Sequence, residues 1–107
     1  MSLDVSLTRV QPTEVFSANI THNLNRMAET VGIYKHLWRP DEIGITKAGQ
    51  LVEPLCEGLR LLRSDPERFK ALEPANKWGT YDGFVSWLTT LLQACEKYPD
   101  ADFRIHR

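Results

Sequence analysis

Four polar side chains near the start of the chain, Asn19, His22, Asn23 and Arg26, stand three, four and seven residues apart in the stretch SANITHNLNRMAETVG. On an α-helix those spacings share one face, because successive residues turn by about 100°. An imidazole, two carboxamides and a guanidinium on one face suit a small polar molecule carrying an anionic group such as phosphate. The free amides of a helix beginning near Asn19 or Thr21 would add to that attraction. His22 can also act as a general acid or base, the usual task of an imidazole at neutral pH. The same residues have a plainer use: Asn19 and Thr21 are ordinary capping residues, and His22 and Asn23 can bond loop backbone. Arg26 can pair with Glu29 or Glu14 on a solvated surface.

Two further stretches carry chemistry. In KHLWRPDE, Trp38 and Arg39 can stack on a ring and clamp a phosphate. Alternatively Trp38 lids the core at a helix junction while Arg39 pairs with Asp41 or Glu42. In NKWGTYDGF, Trp78, Thr80 and Tyr81 stand at the mouth of the last expected helix, where Gly79 and Gly83 allow a turn and a close approach. If the first and last helices present their N-termini to one cleft, Trp78, Thr80 and Tyr81 join Asn19, His22, Asn23 and Arg26 in a single binding site. The alternative is a hydrophobic staple of Trp78 on Phe84 across the Thr80 cap.

Other chemistries find no support. There is no glycine-rich phosphate loop after a strand and no serine elbow. Cys56 and Cys95 lack a partner at metal spacing, and His22, His36 and His106 form no zinc pattern. No metal and no cofactor are therefore expected. Thirteen basic against fourteen acidic residues leave a net charge of −1, without the footprint of a nucleic-acid binder. No apolar run reaches membrane-spanning length, and MSLDVSLTRV does not read as a signal peptide. The expectation is a cytoplasmic protein with no membrane partner, whose two cysteines are buried free thiols. The glycosylation pattern at Asn19–Thr21 is accordingly set aside.

The elements that must position these residues follow from periodicity. Leu3, Val5 and Leu7 alternate with Asp4, Ser6 and Thr8, and Phe103 and Ile105 alternate with Asp102, Arg104 and His106, so both ends of the chain read as half-buried strands able to pair antiparallel. Everything between reads as helical. A first helix is expected over residues 20–31, stopped by Gly32, and Pro40 ends the next local turn. Thr46 fits the cap of a helix carrying Leu51, Val52, Leu55, Leu59 and Leu62, with Pro54 kinking it or delaying its main part. Asp65 and Pro66 open a short helix that ends by Glu73, and Thr80 caps the longest one, which presents Phe84, Leu88, Leu91, Cys95 and Tyr98 and stops at Pro99. The fold class is α+β: a single, mainly helical domain over residues 1–107 with a small antiparallel pair of terminal strands.

The elements NITHNLNRMAETVGIYKHLWRP, WGTYDGF and YPDADFRIHR together resemble a family of small uncharacterised proteins of phages and bacterial genomes, from about Ala18 onward. The resemblance implies an intracellular, phage-related role and assigns no catalytic residue. The functional expectation is a small, oligomeric ligand-binding or regulatory module. Its alternatives are a protein-interaction adaptor anchored by Trp38 and the aromatics around Trp78, and an enzyme using His22 as acid or base with Asn19 or Asn23 orienting substrate.

Overall fold

The computed structural model describes residues 2–9, 14–74 and 79–107. It is α+β, with helices packed on one face of a three-stranded antiparallel sheet. The strands are β1 (Ser2–Thr8), β2 (Glu14–Thr21) and β3 (Asp102–His106), in the order β2-β1-β3. The helices are α1 (Asn25–Thr30), α2 (Tyr34–Trp38), α3 (Gly49–Ser64), α4 (Pro66–Lys70) and α5 (Tyr81–Lys97), with 3-10 turns at His22–Leu24 and Pro40–Ile43.

The two terminal strands pair as their alternation predicts, Val5 opposite Ile105 and Leu7 opposite Phe103. The start of the expected first helix is corrected. Glu14–Thr21 is a strand, and the helix begins only at Asn25. Phe16, Ala18 and Ile20 lie opposite Leu7, Val5 and Leu3 and face the core, while Ser17, Asn19 and Thr21 lie opposite Ser6, Asp4 and Ser2 on the outer face. β-Branched Ile20 and Thr21 between two asparagines are poor helix formers and good strand residues. The register slips between Leu7 and Thr8, which makes Val15 the extra residue of a bulge, and both Val15 and Phe16 pack against the core.

The outer edge of β3 is partly covered. Thr46 accepts from the Phe103 amide at 2.9 Å, Ala101 accepts from the Ala48 amide at 2.9 Å, and Lys47 Nζ reaches Asp102 at 2.5 Å. Thr46 itself does not cap α3, contrary to expectation. The Gln50 carboxamide oxygen accepts from the Thr46 and Lys47 amides, both at 2.8 Å, so the helix side chain caps the approaching loop instead. α3 then runs through Pro54 as one helix, at the expense of the amide that Gln50's carbonyl would otherwise receive.

Leu51, Leu55, Leu59 and Leu62 of α3 and Phe84, Leu88, Leu91 and Cys95 of α5 form the apolar layer under the sheet. Cys95 is buried as expected, and desolvation, followed by the neighbouring Glu96 charge, pushes its thiol up to about 12. Cys56 faces solvent instead, correcting the expectation of two buried thiols. No charged side chain is buried among the described residues, and none of their helices is long and apolar enough to cross a membrane.

Thr80 caps α5 as its position predicts, accepting from the Gly83 amide at 3.0 Å. Gly79, just before it, has φ 101°, and a Cβ there would lie 2.8 Å from both Leu24 Cγ and Thr21 Cγ2. The turn into α5 therefore closes onto the end of β2 only because this position has no side chain. Gly79→Ala is expected to lower stability by about 1–3 kcal/mol, read as a shift in urea midpoint at unchanged slope; an unshifted midpoint would show that the turn tolerates a side chain.

Candidate functional site

The four residues expected to share one helix face, Asn19, His22, Asn23 and Arg26, do not share one. Asn19 belongs to β2, and its Nδ2 donates across the sheet to Asp4 Oδ1 at 2.6 Å and Ser2 Oγ at 2.7 Å. His22 and Asn23 occupy the 3-10 turn, where Thr21 Oγ1 accepts from the Asn23 amide at 3.2 Å. Arg26 follows on α1, and both Arg26 and Asn23 are exposed. Arg26 shows no ion pair with Glu29 or Glu14 among the described residues. Trp78 and its expected staple with Phe84 lie outside the described residues.

His22 turns toward the body of the protein. Its Nδ1 accepts from the indole Nε1 of Trp38 at 2.8 Å. That bond fixes the imidazole with Nδ1 unprotonated, since only a bare ring nitrogen can accept. Trp38 is buried, stacks on Tyr34 with centroids 5.6 Å apart, and receives Arg107 Nη1 on its carbonyl at 3.0 Å. Trp38 thus takes the core-lid role, and Arg39 pairs with Glu42 at 3.9 Å.

At the start of α5 the polar groups are equally engaged. Tyr81 points inward, and its hydroxyl donates to the Leu62 carbonyl at 2.6 Å, tying α5 to the end of α3. Glu73 Oε1 accepts from the Tyr81 amide at 2.9 Å, and Thr80 accepts from the Gly83 amide through its hydroxyl and from the Phe84 amide through its carbonyl. Three of the first four amides of α5 are therefore satisfied internally. The carboxylates of Glu73 and Asp82 already occupy the positive end of the helix.

The two unusual stretches lie side by side as a strand end and a helix start, not as two helix N-termini presented to one cleft. A groove of ≈ 320 Å³, open to solvent, runs between the end of β2 and the start of α5. Asn19, Ile20, Thr21 and Leu24 line one side, and Gly79, Thr80, Gly83 and Trp87 line the other. It gathers Asn19 and Thr80 from the predicted set and leaves out His22, Asn23, Arg26 and Tyr81. Trp87 is the residue that sequence reasoning missed. It stands four residues after Gly83 and seven after Thr80, hence on their face of α5, and its Nε1 is buried without a partner among the described residues. A wider depression of ≈ 680 Å³ lies along the solvent side of α3, but there Arg60 and Glu57 satisfy each other. Among the described residues no three His, Cys, Asp or Glu side chains cluster as metal ligands.

Two predictions follow from the histidines. His22→Ala removes the acceptor of the buried Trp38 indole and is expected to lower stability by about 1–3 kcal/mol, measured by chemical denaturation; an unchanged midpoint would show that the bond contributes nothing. His36 is half-buried, and desolvation holds its imidazole below the ordinary value of 6.5, opposed by the Gly32 backbone. The fold thus prefers neutral His36: this contribution is complete above pH 6.5 and is lost as the pH falls below the unfolded-state value. Between about pH 7.5 and about pH 5.5 the denaturation midpoint should fall further in the parent than in His36→Gln; parallel curves would remove His36 from the pH response.

Comparison of the chain with protein-family models, with curated proteins and with solved structures finds no match, so the functional reading rests on the geometry of this groove and its surroundings.

Proposed function

We propose that the chain is a non-covalent interaction module that takes an extended polypeptide segment along the outer edge of β2, with the neighbouring groove receiving one of the segment's side chains. The observation that carries this reading is the continuity of the two features. β2 is an edge strand of the sheet, and its last residues, Asn19–Thr21, form one wall of the groove holding Trp87. An edge strand offers a row of amides and carbonyls to a partner backbone, and an adjoining pocket for alternate side chains gives such pairing its selectivity. Trp87 lines that groove and gives it an aromatic wall against which a side chain of the segment can pack.

A polypeptide suits this surface better than a small anion. The α5 amides are already given to Glu73 and Thr80, Asn19 is given to Asp4, and the first turn of α5 carries the acidic Asp82. We place the module in the cytoplasm, where a reducing medium keeps exposed Cys56 and buried Cys95 as thiols.

The test is a selection of random extended peptides on the purified protein, repeated with Ser17→Pro and Ala18→Pro. Consecutive strand residues send their amides to opposite edges, so one proline breaks the β1 ladder and the other removes only an outward donor. Binders are expected with the parent and lost with whichever variant keeps the parent circular dichroism. Binders that survive that variant, or a selection that yields none, would remove the reading.

A further inference from the structure

We propose that the segment taken by the β2 edge is β2 of a second copy, so that two sheets join through their β2 strands into one continuous six-stranded antiparallel sheet. This rests on the interaction-module reading and names its partner.

The two edges of the sheet differ. Beside β3, the loop through Thr46–Ala48 already covers the first residues, and Arg104 and Arg107 flank the rest. β2 reads EVFSANIT, with no lysine, arginine or proline along it, and those are the residues that ordinarily protect an edge from pairing. Its bulge at Val15 blunts only the beginning and leaves Phe16–Thr21 in regular register with β1.

The strand is also complementary to itself. Antiparallel pairing of two identical strands around a two-fold axis preserves the inner and outer faces when the axis passes through a residue position. Centred on Ala18, the pairing sets Phe16 opposite Ile20 of the second copy on the core face and Ser17 opposite Asn19 on the outer face. Apolar meets apolar and polar meets polar. Charge agrees with this direction: exposed Glu14 begins the strand and exposed Arg26 follows its end, so each copy's acidic end lies toward the other's arginine-bearing end. The incoming Phe16 arrives beside Ile20, which lines the groove between β2 and α5.

The experiment is cysteine cross-linking of the full chain in a Cys56→Ser background, with light scattering on the parent. The parent is expected at twice the chain mass. Ala18→Cys is expected to form a disulfide-linked dimer under oxidised glutathione, whereas Ser17→Cys and Asn19→Cys should each cross-link poorly alone and well when mixed. A parent that stays at the chain mass at every concentration overturns the proposal, as does a folded Ala18→Cys that does not cross-link. Cross-linking of Ser17→Cys alone overturns the Ala18-centred pairing. If the second copy is excluded while the peptide selection still returns edge-dependent binders, the interaction-module reading stands; loss of both results removes both.

Discussion

The rest of the structure depends on how β1 is enclosed. Leu3, Val5 and Leu7 are at most 1% exposed, so the strand's amides and carbonyls lie in a setting where each needs a partner. A single neighbour can satisfy only one side of a strand. β3 satisfies one side from the far end of the sequence, and the other falls to residues 14–21, which must be extended whatever their local preference. The demand for a second neighbour sets where α1 begins, moves Asn19 onto the outer face, and delivers the end of β2 to the start of α5.

That arrangement consumes much of the polar chemistry that makes the first stretch conspicuous. Asn19 ties β2 to β1, Thr21 caps the 3-10 turn, and His22 supports the indole of Trp38. Tyr81 and Glu73 similarly brace the entry to α5. What remains outward is the edge of the strand that these contacts hold in place and the groove beside it. A rigid edge is a better recognition element than a mobile one, because its backbone is ordered before the partner arrives.

Much of this was legible in the residues. Strict alternation around Val5 and Ile105 marked the two outer segments of the chain as strands, Asp65–Pro66 and Thr80 marked helix starts, and Gly32, at φ 84°, marked a stop. β2 was harder to read for two physical reasons. The bulge places Val15 and Phe16 both toward the core and breaks the alternation at its beginning. At its end, Ile20, Leu24, Met27 and Val31 happen to continue at helical spacing. Gln50 hid the true cap of the loop before α3, since a carboxamide reaching back to Thr46 resembles any exposed helix residue. Trp87 was concealed because an indole on a helix normally signals core, and only its distance from Gly83 shows that it borders an opening.

The pairing of Asp4 with His106 also has a consequence for synthesis. Nearly the whole sequence separates the two strands, and contacts of such separation are slow to form because a long loop must close first. On the ribosome, β1 and β2 emerge early and β3 last among these elements. The growing chain therefore carries β1 with one side unpaired until β3 has emerged, and through that interval an unpaired strand edge is open to contacts with other chains.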